Sequence, residues 1–98
     1  MSAASLPDSA IVAIAPDVLG SELGSEVVML SLRDGIYYGM DAVGAEVWRL
    51  IQSPSTVGHI VATIVDIFEV DEERCREDVV ALIASLRDRH LVQVRERR

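Results

Sequence analysis

The apolar residues of the first half of the chain cluster in short strand-forming runs, and those of the second half recur at helical spacing. Strand formers dominate three segments, Val18–Leu23, residues 26–32 and Ile36–Met40. Short glycine-containing connections separate them, Gly24 with Ser25 and then Asp34 with Gly35. Such spacing is typical of hairpins, so the sequence predicts a three-stranded antiparallel meander.

The Asp-Gly step before the third strand is the strongest short signal in the chain. Asp34 and Gly35 favour a two-residue turn, because both central positions of that turn need positive φ. This turn makes Arg33 and Ile36 its closing hydrogen-bonded pair.

The third strand, Ile36–Met40, is expected to be a free edge of the sheet. It contains no proline and no lysine, the residues with which proteins commonly protect an edge. In the expected register, Ile36, Tyr38 and Met40 direct their backbone groups inward, whereas Tyr37 and Gly39 direct theirs outward. An unprotected edge suits the addition of a partner strand.

Three capping residues predict three helices after the meander: Asp41, Thr56 and Asp71. Each is followed by apolar residues at helical spacing. On the third helix these are Cys75, Val79, Leu82, Ile83 and Leu86. Strands followed by helices predict an α+β fold, and the three-helix unit also resembles a winged-helix body.

The two ends of the chain give weaker signals. Residues 10–14 form a candidate strand whose place in the sheet is left open, and residues 90–94 predict a short strand or packed extension. Residues 1–9 are expected to be a flexible tail, so residues 10–98 form a single domain. No further helix is predicted after the third one.

Composition narrows the classes of partner. The 98 residues suffice for one core, and a net charge of −7 disfavours nucleic acid or an anionic membrane as the main partner. No secretory signal and no membrane-length apolar run is visible, which favours a cytoplasmic protein. A DNA-binding third helix is disfavoured as well, because residues 71–78 carry five acids against Arg74 and Arg76.

Residues for catalysis or for holding a metal or cofactor are not evident. His59 and His90 lie on different elements and have no neighbours at metal-ligand spacing. Cys75 is the only cysteine and falls on the apolar face of the third helix, which is typical of a small buried hydrophobe. The sequence therefore predicts a binding module rather than an enzyme.

An ordered set of motifs resembles a known family. It comprises D-G-I-Y-Y-G-M-D-A-V-G-A-E-V-W-R-L-I, then T-V-G-H-I-V, then D-V-V-A-L-I-A-S-L-R-D-R-H-L-V. The chain resembles the pyrroloquinoline-quinone biosynthesis D-type proteins, the precursor peptide recognition elements of ribosomal peptide pathways. It departs from their Leu-Asn step, which is Met40-Asp41 here, and it lacks a proline-rich loop. The Tyr-Tyr strand is most similar to the stand-alone recognition proteins of lasso-peptide pathways.

This resemblance implies three strands followed by three helices, and it implies a function. Such proteins bind the leader segment of a precursor peptide and present it to a leader peptidase and a macrolactam-forming cyclase. The leader is expected to add to the third strand, in the groove against the third helix. Side-chain pockets are then expected from two sets of residues, Ile36, Tyr38 and Met40 on the strand and Cys75, Asp78, Val79 and Leu82 on the helix.

Two alternatives stay open from the residues alone. One is a winged-helix regulator that binds DNA. The other is a structural dimer that forms by pairing of the Ile36–Met40 edges.

Overall fold

The computed structural model describes residues 6–24 and 26–96. Over these residues the chain is α+β, as expected, with three helices and six strands in two antiparallel sheets. The elements, in chain order, are β1 (Ile11–Ile14), β2 (Val18–Leu23), β3 (Glu26–Ser31), β4 (Ile36–Met40), α1 (Ala42–Leu50), β5 (Ser55–Thr56), α2 (Val57–Phe68), α3 (Glu72–Asp88) and β6 (Val92–Arg95).

The predicted meander is the sheet β2-β3-β4, with β3 in the centre. Leu23 pairs with Glu26, so only Gly24 and Ser25 separate β2 from β3. Gly24 has a φ of +68°, a conformation that glycine adopts without steric cost. β4 pairs with β3 on one side and lies at the edge of the sheet.

The strand whose place was left open forms the centre of a second sheet. β1 lies between β5 and β6, and it pairs antiparallel with both. The expected strand near residues 90–94 is β6, which begins at Val92 and pairs with Ile14 there. The second sheet therefore joins the beginning of the described chain to its end.

All three predicted caps are confirmed. Asp41, Thr56 and Asp71 each accept a hydrogen bond from the backbone N–H three residues later, at 2.9, 3.2 and 3.0 Å respectively. Each cap has extended backbone dihedrals and satisfies an N–H that the helix cannot pair internally. The caps thus set where β4 gives way to α1 and where α3 begins.

The prediction of a two-residue turn at Asp34-Gly35 is wrong. Ser31, not Arg33, pairs with Ile36, so four residues connect β3 to β4. Only Gly35 of the Asp-Gly step has positive φ, at +68°, and its N–H donates to the Ser31 carbonyl at 2.7 Å. The Ser31 hydroxyl is buried and accepts from the Asp34 N–H at 3.3 Å, which stabilises this wider loop.

The expected domain boundary at residue 10 needs correction as well. Residues 1–5 of the expected tail lie outside the described residues, but Leu6 packs against the core. The Asp8 carbonyl accepts from the Gly58 N–H at 3.0 Å, and its carboxylate forms an ion pair with Arg76 at 3.0 Å. Residues 6–9 therefore belong to the packed domain, because they hold α2 and α3 together.

The core is aliphatic and draws side chains from both sheets and every helix. Fully buried members include Val12, Met29, Val47, Ile60 and Ile83. α3 packs mainly against α2 and β6. Arg89, at the C-terminal end of α3, lies over the Tyr38 ring of β4.

Candidate functional site

The two faces of β4 differ in burial. Tyr38 and Met40 are partly buried and pack against the core. Tyr37 lies on the opposite face with 70% of its surface exposed, as alternation along a strand requires. Ile36 is half exposed and Gly39 is exposed. The strand therefore closes the core with alternate side chains while its outer edge remains uncovered by the described residues.

The backbone alternation follows from one hydrogen bond of the neighbouring strand. The Leu32 N–H donates to the Asp17 carbonyl at 2.8 Å, so the backbone of Leu32 faces β2. The preceding residue, Ser31, must then face β4, and its pair with Ile36 is a hydrogen-bonded one. Tyr37 and Gly39 accordingly direct their backbone groups to the open edge. The expected alternation holds although the turn differs, because Ile36 belongs to a hydrogen-bonded pair in both registers. Its partner is Arg33 in the predicted turn and Ser31 in the structure.

An apolar cavity of about 240 Å³ lies between the three helices, at the N-terminal half of α3. It contains three of the predicted site residues, Cys75, Asp78 and Val79. Cys75 and Val79 are buried and form its floor, whereas Asp78 is exposed at its rim. The remaining lining residues are Val43, Ile64, Phe68, Val70, Asp71 and Arg74.

The cavity lies beyond the C-terminal end of β4, not directly beside its centre. The Met40 side chain packs on Gly44 in the first turn of α1, where a Cβ would come within 3.0 Å of the Met40 sulfur. Val43 of the same turn lines the cavity. Tyr38 and Met40, predicted to share a pocket with the residues of α3, are not among the residues that line that cavity, and Met40 contacts the turn of α1 that contributes Val43 to it.

The other end of α3 approaches the centre of β4, at Tyr38. The Arg89 guanidinium carbon lies 5.6 Å from the centroid of the Tyr38 ring. The C-terminal end of α3 is therefore near Tyr38, and its N-terminal half is near α1. We use "the groove" for the surface between β4 and α3, from Tyr38 and Arg89 at one end to the cavity at the other. Leu82, which is partly buried against the core, lies on α3 between these ends.

The Cys75 thiol is a buried part of the cavity floor. Burial raises its pKa from the ordinary value of 9.0, and the nearby carboxylate of Asp78 raises it further. The Sγ atom lies 4.0 Å from the Val61 carbonyl oxygen. The thiol is therefore protonated at neutral pH, which suits packing and not nucleophilic attack.

The described residues show no metal centre. No group of three or more histidine, cysteine or acidic residues in this part of the chain is close enough to hold a metal ion. His59 is in the first turn of α2, and His90 follows α3. No helix among the described residues is long and apolar enough to cross a membrane.

Sequence reasoning missed six of the nine residues that line the cavity, and it missed the contact at the far end of the groove. Phe68 and Val70 flank the turn between α2 and α3, and Val70 is 45% exposed there. An apolar residue directly before the predicted Asp71 cap was a usable signal in the sequence. The Arg89–Tyr38 contact joins residues 51 positions apart, and no local pattern reveals such a contact.

The comparison with protein families matches residues 26–92 to the family described as coenzyme PQQ synthesis protein D (PqqD). The chain belongs to the PqqD family. This match confirms the resemblance found in the motifs, and it spans β3 to the beginning of β6, including the whole groove. No curated protein matches the chain.

Two solved structures are similar to this PqqD-family chain. The structure of TbiB1 in complex with the TbiA(beta) leader peptide has a TM-score of 0.79 and 30% sequence identity, over 83% of this chain and 94% of that chain. A lasso peptide synthetase B1 complexed with the leader peptide has a TM-score of 0.71 and 20% identity, over 84% and 96% of the two chains. The second likeness shows the fold alone.

Proposed function

We propose that this chain binds the leader segment of a ribosomally made precursor peptide, in a lasso-peptide pathway. The leader adds as a strand to the open edge of β4 and places side chains in the groove against α3. The observation that carries this proposal is the edge of β4, which pairs with no other described strand and ends close to an apolar cavity. Main-chain hydrogen bonds supply affinity in this mode, and side-chain pockets supply selectivity.

The edge of β4 is suited to a docking strand. Tyr37 and Gly39 each offer an outward N–H and C=O, and neither residue is covered by the described chain. The strand has no proline, lysine or bulge that would prevent pairing. Ile36, Tyr38 and Met40 direct their backbone groups to β3, so they support the edge without taking part in peptide pairing.

The cavity is suited to an apolar anchor of the peptide. Its floor consists of Cys75 and Val79, and Asp78 and Arg74 lie at the polar rim. A peptide strand that pairs with β4 along its whole length ends near Met40. Val43, in the first turn of α1, is close to Met40 in the chain and lines the cavity. Burial of one large apolar side chain there would contribute about 1.5–3 kcal/mol to binding.

The comparisons support the ligand class. TbiB1, which is 30% identical to this chain over most of both chains, was solved in complex with the TbiA(beta) leader peptide. That name concerns TbiB1, and the proposal extends the ligand class to this chain because the two folds are alike and the sequences are related.

The rest of the proposal concerns partners. The chain acts without catalysis of its own, as one domain in the cytoplasm, and presents the bound leader to a leader peptidase and a macrolactam-forming cyclase. Its buried, protonated Cys75 and its two separated histidines support a carrier rather than a catalyst.

The DNA-binding alternative is disfavoured by charge. Glu72 and Glu73 occupy the first turn of α3, with Asp71 as the cap. Phosphate would be repelled from this end of the helix. The edge-paired dimer uses the same β4 edge as the proposed leader, so it is an outcome of the test below.

The test is a selection followed by a titration. The protein selects binders from a displayed library of short random peptides, and one enriched sequence, "the selected peptide", is labelled with fluorescein. A candidate leader from a small reading frame beside the gene for this chain is the second probe. The proposal is supported if the fluorescence anisotropy of a probe rises to saturation with the wild-type protein and does not rise with Tyr37→Pro, which blocks the β4 edge. A sedimenting dimer that binds neither probe would favour the edge-paired alternative instead.

A further inference from the structure

Arg89 is held at the Tyr38 end of the groove by two contacts. It is the residue that caps the C-terminus of α3. Its guanidinium stacks over the Tyr38 ring at 5.6 Å, and an N–H of the guanidinium donates to the Ser85 hydroxyl at 3.2 Å. Ser85 lies one helical turn before Arg89, so both contacts direct the side chain along α3 toward β4. The cation is therefore oriented before any ligand arrives.

The charge of Arg89 has no carboxylate partner within the described residues. Arg49 pairs with Glu22 and Glu46, and Arg76 pairs with Asp8 and Glu72. Arg89 forms no such ion pair in the parts of the chain that the structure describes. A guanidinium has five N–H donors in a planar fork, and stacking on a ring leaves the edge of that fork available.

The two ends of the groove differ in charge. Asp71 and Asp78 flank the cavity with Arg74 between them in sequence, so acids outnumber bases there. At the other end the oriented cation is Arg89. Because the whole chain carries a net charge of −7, an acidic side chain of a ligand is repelled by most of the protein surface. The Arg89 end is the part of the groove where a carboxylate gains a partner.

We propose that Arg89 is a specificity-determining residue that binds an Asp or Glu side chain of the docked peptide. This inference rests on the proposed function, because it assigns one side-chain preference to the peptide in that groove. The acidic residue lies beside Tyr38, at a fixed separation from the apolar residue that enters the cavity. The carboxylate accepts from the free edge of the guanidinium while the Tyr38 ring holds the other face.

The test compares selections by the wild-type protein, Arg89→Gln and Arg89→Lys from the same peptide library. The wild-type pool is expected to carry Asp or Glu at one position relative to its apolar anchor. The Arg89→Gln pool is expected to lose that preference, because glutamine keeps a hydrogen-bond donor but carries no charge to pair with a carboxylate. Arg89→Lys keeps the charge but not the planar fork, so it should retain part of the preference.

A titration then isolates the pair. Replacing the acidic residue of the selected peptide by its amide is expected to weaken binding to the wild type about fivefold, and to leave binding to Arg89→Gln unchanged. Arg95→Gln is the matched control, since it removes the same charge from β6 on the other sheet and should keep the fivefold penalty. Melting curves check that each variant is folded.

The outcomes separate this inference from the proposed function. Selected peptides that need the β4 edge but show no preference for Asp or Glu would overturn the role of Arg89. So would an amide substitution that weakens binding to Arg89→Gln as much as to the wild type. Either result would leave the proposed leader binding intact. Selected peptides that bind Tyr37→Pro, in which the β4 edge is blocked, as tightly as the wild type would overturn the proposed function. The proposed carboxylate site would then be overturned as well.

Discussion

Gly20 of β2 lies directly against the indole ring of Trp48 on α1, so that a Cβ at residue 20 would fall on the ring. Gly20 pairs with the buried Met29, and both occupy the inner face of the meander. The nearby ion pair between Arg49 and Glu22, at 2.8 Å, joins the same two elements. The absence of a side chain at Gly20 therefore allows α1 to approach the sheet.

We predict that Gly20→Ala destabilises the domain. The added methyl group must displace Trp48, and overpacking of this kind costs about 1–3 kcal/mol in the free energy of unfolding. Urea titration followed by tryptophan fluorescence measures it. Gly39→Ala is the matched control in β4, because a Cβ there meets open space, and it should leave the midpoint within experimental error. Equal midpoints for Gly20→Ala and the wild type would show that this approach is not tight.

A second prediction concerns the cavity. Val70 and Ile67 are similarly exposed, at 45% and 48%, but only Val70 lines the cavity. Val70→Ser should weaken binding of the selected peptide by about 1 kcal/mol, since it removes apolar contact with the anchor. Ile67→Ser should leave the dissociation constant unchanged. If both substitutions have the same effect in anisotropy titrations, the anchor does not enter this cavity.

A third prediction concerns the Cys75 thiol. Because burial raises its pKa, alkylation by iodoacetamide at neutral pH should be far slower in the folded protein than in urea. The sign of the pH effect on stability follows: the unfolded thiol loses its proton first, so the free energy of unfolding falls as the pH rises past about 9. Cys75→Ala should lack the part of this fall that is due to the thiol. Rapid alkylation of the folded protein would instead indicate an activated thiolate.

A fourth prediction follows for leader processing. Cys75→Ala should leave processing by the complete enzyme set within a few fold, because the proposed role of the chain is to carry the leader. The measurement is product yield by mass spectrometry, with peptide binding determined in parallel. Normal binding without any processing would assign the thiol a chemical role.

The sequence predicted the elements well and the connections less well. Asp41, Thr56 and Asp71 are local signals, since each cap depends only on residues within one helical turn, and all three are confirmed. The turn at Asp34-Gly35 was mispredicted because Asp-Gly fits both a two-residue turn and a longer loop that ends in a left-handed glycine. The choice between them is made by Ser31, whose buried hydroxyl and carbonyl bond to the loop.

The candidate site was predicted only in part, because local sequence patterns identify elements but not how those elements pack together. The edge position of β4 follows from element order, and Cys75, Asp78 and Val79 share a helix face by periodicity. Their meeting with Val43 and Phe68 depends on how three helices pack, which periodicity does not specify. The contact of Arg89 with Tyr38 likewise depends on where the end of α3 packs relative to β4.

Two proline substitutions in β4 have opposite expected effects. The backbone N–H of Tyr37 faces the open edge, so Tyr37→Pro removes a donor that only a docking strand would use. The N–H of Tyr38 faces β3, opposite Met29, so Tyr38→Pro removes a ladder bond and should lower the melting temperature. The side chain of Tyr37 is largely exposed, and Tyr37→Ala is therefore the control for its loss.

The most direct test of the central claim is the affinity of Tyr37→Pro for the selected peptide, measured by fluorescence anisotropy on protein whose melting temperature matches that of Tyr37→Ala. Strand addition to β4 predicts that Tyr37→Pro folds and loses most of its affinity, whereas Tyr37→Ala retains most of it. A folded Tyr37→Pro protein that binds the peptide at full strength would contradict the account.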